Sequence, residues 1–209
     1  LQGIIEKLDY LKTLGIDVIW LTPIYASPQR DNGYDISDYF SVHQDYGTMA
    51  DFERLLAEAH QRGIKVIMDM VVNHTSTDHE WFQQARSSKK TATVIFIFGR
   101  TLNQTAALQQ TGRPNLADRL GSMMKTGQYY LHLFDVTQAD LNWENEELRK
   151  TIYEIMHFWF QKGVDGFRLD VINLISKDQR FSMMMNPCRW GTAADFIQTV
   201  RAFMSFCRK

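Results

Sequence analysis

VDGFRLDVIN (residues 164–173) is the stretch on which the reading of this chain turns. It has the pattern of a helix end, a glycine-marked turn and a strand built from Phe167, Leu169, Val171 and Ile172. A strand of that composition belongs in a core, yet it carries Arg168 and Asp170, opposite charges two residues apart. Side chains at i and i+2 of a strand share one face. A carboxylate buried bare is very costly, so Asp170 must be paired or useful. Arg168 can hold it ionised and oriented through charge-assisted hydrogen bonds. A fixed, ionised carboxylate suits attack on an electrophilic carbon. A structural ion pair at a strand end explains this segment equally well, and both readings stay open here.

Working outward, the chain alternates between two periodicities. IIEKLDYLKTLG (residues 4–15) has apolar residues at helical spacing, with Gly15 as its stop. VIWLTPIY (residues 18–25) is a continuous apolar run, the pattern of a strand covered on both faces. TMADFERLLAEAHQRG predicts a second helix, capped by Thr48 with Asp51 three residues on and ended by Gly63. IKVIMDMVV (residues 64–72) predicts a second buried strand. A third helix follows from Asn145 at the cap, with Glu146 and Glu147 in its first turn and Gly163 at its end. Helix and strand in alternation argue for a parallel sheet with helices outside, in an α/β barrel or open sheet. Polar residues gather where these strands end: Asp31 and Tyr34, then Asp69, Asn73 and His74, then Arg168 and Asp170. That is where the site of such a fold lies. The excursion between His74 and Asn145 is too long for a simple connection and predicts a small inserted domain.

Composition narrows the classes. The chain has 209 residues, 44% hydrophobic and 22% charged, with a net charge of −1, which fits a globular protein. Charges of both signs are spread along it, so neither a nucleic-acid stripe nor a charged tail is indicated. Cys188 and Cys207 imply no disulfide framework. The apolar runs are too short to span a bilayer, and no signal peptide is expected.

Taken singly, the remaining motifs are weak. DNGYD, with Asp31 and Tyr34, is an ordinary turn sequence. Asp69, Asn73 and His74 in DMVVNHTS could bind sugar hydroxyls or a metal, or simply satisfy one another. His60 and His157 read as helix-surface or packing residues, and HFWF reads as core.

Taken together, the segments resemble the alpha-amylase superfamily, glycoside hydrolase family 13, in order and spacing. DMVVNH resembles its first motif region, GFRLD its second, and QADLN (residues 138–142) the motif of its inserted domain. DNGYD resembles its sugar-holding Asp-x-x-Tyr element. QADLNWEN and Val171 resemble the oligo-1,6-glucosidase group, and the wording of NGYDISDYFSVHQDYGTM and FRLDVINLISKDQRF resembles the trehalose-6-phosphate hydrolase group. The resemblance implies a (β/α)8 barrel: barrel over residues 1–75 and 143–209, inserted domain over 76–142. It implies a retaining double displacement with Asp170 as nucleophile and Arg168 holding its charge. Asp31, Tyr34 and His74 would bind the non-reducing glucose, with Asp69 and Asn73 bracing the site. The implied substrate is a small glucoside or sugar phosphate, α,α-trehalose 6-phosphate cleaved to glucose and glucose 6-phosphate, or alternatively an α-1,6-linked oligosaccharide. No cofactor and no metal are implied, and the setting is a cytoplasmic monomer without nucleic-acid or membrane partners.

Two stretches leave the family pattern. Over residues 90–125 and after Phe181 the wording breaks, yet a single shared codon offset permits family words such as FYIW and SKFGGSAW. The expectation is a frameshifted, truncated coding sequence; a divergent inserted domain is the alternative. Nothing after Phe181 resembles the region of the proton-donating Glu or of the later Asp, and Asp195 does not fill that gap. The chain as given is therefore expected to be poorly soluble and inactive on p-nitrophenyl α-glucoside. Two further hypotheses stand beside it. One is a carbohydrate-binding remnant without catalysis. The other is a metal-dependent hydrolase using Asp69, His74 and Asp170, weakened by the lack of a His-x-His or Cys pair.

Overall fold

The computed structural model describes residues 1–87, 97, 99–101, 120–123 and 128–177. Most of the 90–125 stretch and everything after Phe181, including Cys188, Asp195 and Cys207, lie outside the described residues. The chain forms two compact units: Leu1–Val71 with Glu154–Asp170, and Val72–Tyr153 with the chain from Val171.

The first unit is built on a parallel sheet in the order β1 (Val18–Leu21), β4 (Lys65–Val71), β10 (Gly166–Asp170). Its register sets Trp20 beside Ile67, and Arg168 beside Asp69. One face of β4 is aliphatic: Val66, Met68 and Met70 are essentially inaccessible. The adjacent helix α3 (Met49–Gln61) buries Phe52, Leu55, Leu56 and Ala59. Thr48 starts α3 as expected: its hydroxyl accepts from the Asp51 amide at 3.2 Å, and the Asp51 carboxylate accepts from the Thr48 amide at 2.9 Å. Asn145 caps α5 (Glu146–Lys162), accepting from the Glu147 and Leu148 amides at 2.8 and 3.1 Å. Gly163 ends α5 at φ 104°, a conformation a side chain resists. Trp159, near the end of α5, is fully buried against Tyr25 and Phe52, and its indole N–H donates to the Tyr39 carbonyl at 2.8 Å.

Two local expectations are corrected. The helix expected over residues 4–15 is two short ones, α1 (Gln2–Ile5) and α2 (Leu8–Thr13), with the Lys7 amide turned onto the Ile4 carbonyl three residues back. The apolar run 18–25 is not one strand covered on both faces. Pro23 cannot donate to a ladder and restricts the residue before it. The parallel strand therefore ends at Leu21, and Tyr25 starts β2 (Tyr25–Ala26), which pairs antiparallel with β3 (Asp38–Val42). Val18 and Trp20, on the second face of β1, are nearly half exposed, at 47% and 48%.

The second unit holds an antiparallel pair, β5 (His74–Ser76) with β9 (Gln138–Asp140), in which His74 faces Asp140. It also holds α4 (Glu80–Ser87) and a small antiparallel sheet in the order β6 (Gly99–Thr101), β8 (Gln128–Leu131), β7 (Leu120–Met123). Trp143 is buried and donates from its indole to the Val72 carbonyl at 2.8 Å. No helix among the described residues is long and apolar enough to cross a membrane.

Candidate active site

The second face of the parallel sheet changes character along its length. Towards the start of the strands it carries Val18, Trp20 and Ile67; towards their C-terminal ends it carries Asp69, Arg168 and Asp170. Register explains the convergence: Arg168 lies beside Asp69, so strands far apart in sequence present their charges at one level. Asp69 is fully buried, third from the end of β4 rather than at its tip. Arg168 Nη1 donates to both Asp69 oxygens, at 3.1 and 3.2 Å, and also to Asp170 Oδ1. Its guanidinium carbon lies 5.2 Å from the Trp20 ring. One cation thus serves two carboxylates and leaves the cluster with a net negative charge.

The electrostatics follow from this sharing. Burial pushes the Asp69 carboxyl above its ordinary pKa; Arg168 opposes that rise, and the Asp170 charge adds to it. Burial alone would lower the Arg168 pKa, but Asp69 and Asp170 outweigh it and the net direction is up. Arg168 therefore stays charged while its side chain remains 40% exposed.

Tyr34 joins the cluster by donating from its hydroxyl to Asp69 Oδ2 at 3.2 Å. Burial and then Asp69 push its phenol pKa up, so it stays a neutral donor. The loop that brings it there is fixed by Asp35, a residue sequence reading passed over. Asp35 is fully buried and accepts from Ser27 Oγ at 2.8 Å, the Arg30 amide at 3.1 Å and the Asp31 amide at 3.2 Å. The Tyr34 amide closes the turn onto the Asp31 carbonyl at 2.9 Å. Gly33 sits at φ 91°, and a Cβ there would lie 2.8 Å from the Pro23 carbonyl oxygen, so the turn packs only with glycine. The second acid of DNGYD, four residues after Asp31, is the sequence signal that could have revealed the anchor.

Asn73 and His74 lie in the second unit, within a buried network of that unit. The Asn73 side-chain nitrogen is 3.2 Å from His74 Nδ1 and 3.0 Å from Asp140 Oδ1. Lys177 Nζ reaches Asn73 Oδ1 at 2.9 Å and Asp140 Oδ1 at 3.1 Å. Asp140 Oδ2 accepts from the Leu133 amide at 2.8 Å. The Phe134 ring, 43% exposed, lies 5.1 Å from the His74 ring. Asp140 and Lys177 stand inside motifs read from the sequence, but their pairing spans residues no periodicity connects. Among the described residues, no group of three or more His, Cys, Asp or Glu side chains is placed to hold a metal ion.

Directly after Asp170, Val171 takes φ 39° and ψ 36°, a left-handed conformation that a β-branched residue rarely adopts. It ends β10 at Asp170, so Val171 and Ile172, expected in the strand, instead form the entry to a short 3₁₀ turn, Ile172–Leu174.

The alpha-amylase catalytic-domain model matches residues 1–198. The chain belongs to the alpha-amylase family. It is 62% identical over 182 residues to the trehalose-6-phosphate hydrolase of Bacillus subtilis, covering 87% of this chain and 32% of that protein. It is 50% identical over 179 residues to the oligo-1,6-glucosidase of Bacillus cereus, covering 86% and 32%. The crystal structure of Bacillus licheniformis trehalose-6-phosphate hydrolase superposes with a TM-score of 0.76 at 61% identity, covering 86% of this chain and 33% of that one. The chain thus spans about a third of the length of these relatives. Its three parallel strands are part of a (β/α)8 barrel.

Proposed function

We propose that the chain carries part of the active site of a retaining α-glucosidase. Its first-choice substrate is α,α-trehalose 6-phosphate; an α-1,6-linked glucoside is the second reading, supported by the likeness to oligo-1,6-glucosidases. The observation that carries the proposal is the bridge Arg168 makes between Asp69 and Asp170 at the C-terminal ends of adjacent parallel strands.

The chemistry follows from that bridge. With Asp170 Oδ1 engaged by the guanidinium, Oδ2 is the oxygen that attacks the anomeric carbon. A bond forms between them as the bond to the leaving group breaks with its electron pair. The product is a β-glucosyl ester on Asp170, which water then hydrolyses with net retention. Arg168 pairs with the attacking group and orients it, and Asp69 holds Arg168. Tyr34 and Asp31, on their glycine-dependent turn, bind the glucose ring together with His74, and Asn73 braces His74. The proton donor for the leaving oxygen is assigned to no residue of this chain. The reading includes a cytoplasmic monomer acting on small sugars.

α-Glucosyl fluoride tests this on the chain as it stands, because fluoride departs without protonation and a single labelling event needs no turnover, which this chain is expected to lack. The expected result is one anhydroglucose unit attached to the peptide bearing Asp170, detected by mass spectrometry after rapid acid quench, and no label in Asp170→Asn. A folded chain labelled elsewhere, or not at all, sinks the proposal.

A further inference from the structure

Four side chains in the second unit form a donor-acceptor chain with only one consistent direction. Lys177 Nζ is 2.9 Å from one end of the Asn73 amide, and Asp140 Oδ1 is 3.0 Å from the other. An ammonium can only donate, and a carboxylate can only accept. The end facing Lys177 must therefore be the amide oxygen, and the end facing Asp140 the NH2 group. That NH2 has a second hydrogen, and His74 Nδ1 lies 3.2 Å away. Flipping the amide would aim N–H at the ammonium and oxygen at the carboxylate, two repulsive contacts at once. Asp140, Asn73, His74 and Lys177 are all buried, at 0, 0, 2 and 6% exposure, so water cannot readily replace either contact.

We propose that the buried Lys177–Asp140 ion pair is a positioning device: it locks the Asn73 amide, which in turn holds His74 with Nδ1 as acceptor and its proton on Nε2. The functional part rests on the α-glucosidase reading, in which His74 binds a sugar hydroxyl. A His74 locked in this way presents an N–H donor from Nε2. A carbonyl at the same place would instead select the opposite tautomer, so the pair sets the polarity of the binding group from behind it. Lys177 and Asp140 are thus positioning residues, acting only through Asn73 and the imidazole.

The test is the ¹⁵N spectrum of the histidine side chains in the full chain, without sugar. His74 is assigned by its loss in His74→Gln. The wild-type chain is expected to show a single neutral His74 with an unprotonated Nδ1. The double variant Lys177→Met with Asp140→Leu removes both charges together and leaves neither ion buried alone. In it the amide turns freely, and a second His74 population protonated on Nδ1 is expected. A wild-type His74 protonated on Nδ1 overturns the proposal, as does a folded double variant with the wild-type pattern. Should the double variant not fold, the Asn73 NH2 signals of the wild-type chain decide. Two slowly exchanging protons support the lock, and rapid exchange of both overturns it. Because no sugar is present, failure here leaves the Asp170 labelling result untouched, and failure of that labelling leaves this tautomer untouched.

Discussion

Among the described residues, two clusters share one plan, a cation held between acceptors, and they differ in the cation, in the acceptors and in exposure. Arg168 joins Asp69 and Asp170 with its side chain 40% exposed; Lys177 joins Asp140 and Asn73 with its side chain 3% exposed. Exposure sets the direction in which each cation is perturbed. Burial pushes the Lys177 ammonium below its ordinary pKa, with Asp140 opposing, whereas the carboxylates around Arg168 outweigh its partial burial. A planar, permanently charged guanidinium can face a ligand and still hold two carboxylates. A buried ammonium has no ligand to face and serves its neighbours instead. Under the two proposals, similar chemistry supports reaction in one place and alignment in the other.

Three substitutions test this contrast and a fourth probes a carboxylate outside both clusters, taken from the largest expected effect downward. Asp170→Asn should reduce glycosyl transfer by roughly 10⁴-fold or more in any turnover-competent form, measured with α-glucosyl fluoride. Its thermal midpoint should hold or rise, because a repulsion on Asp69 is relieved. A matching loss of stability would make Asp170 structural. Lys177→Met should destabilise by about 3–5 kcal/mol in urea titration, since it leaves Asp140 charged and fully buried without its cation. Arg168→Met should cost less, about 1–3 kcal/mol: Asp69 is also fully buried, but it keeps the Tyr34 hydroxyl as a donor and solvent reaches the place of the lost guanidinium. If the last two exchange rank, exposure is not what separates the clusters.

The smallest effect is expected at Asp165, just ahead of β10. Its carboxylate accepts from the Val66 amide and from His60 Nε2, both at 2.8 Å. Burial pushes its pKa up, but these two contacts prevail and the net direction is down. A carboxyl depressed in the folded state contributes stability above its unfolded pKa of about 3.9, and that contribution is lost as pH falls through the folded value. Asp165→Asn should therefore cost about 0.5–1.5 kcal/mol at neutral pH, with the difference from wild type shrinking below about pH 4. A gap that persists into acid would assign the effect to packing.

What the sequence disclosed, and what it hid, divides along the range of the interactions. The Thr48 and Asn145 caps, the β4 and β10 strands and the shared face of Arg168 and Asp170 depend on neighbours within a few residues, and periodicity records those. Pro23 cut the first strand short; its effect was local too, but the apolar pattern around it was given more weight than the missing N–H. The Arg168–Asp69 contact spans 99 residues and the Lys177–Asn73 contact spans 104. Such pairs depend on strand register and on the folded network, so they became visible only with the structure. Asp35 was hidden differently: its role is to satisfy backbone amides, which no side-chain pattern reveals.

The half-exposed indole of Trp20, stacked 5.2 Å from the Arg168 guanidinium, gives the site an optical readout of its own. A nearby positive charge shifts the energy of an excited indole, so an anion or sugar that rearranges the guanidinium should shift the fluorescence of this tryptophan. Occupancy could then be followed as the difference in emission between the wild-type chain and Trp20→Phe, which subtracts the four other tryptophans, with no dye, tag or turnover needed.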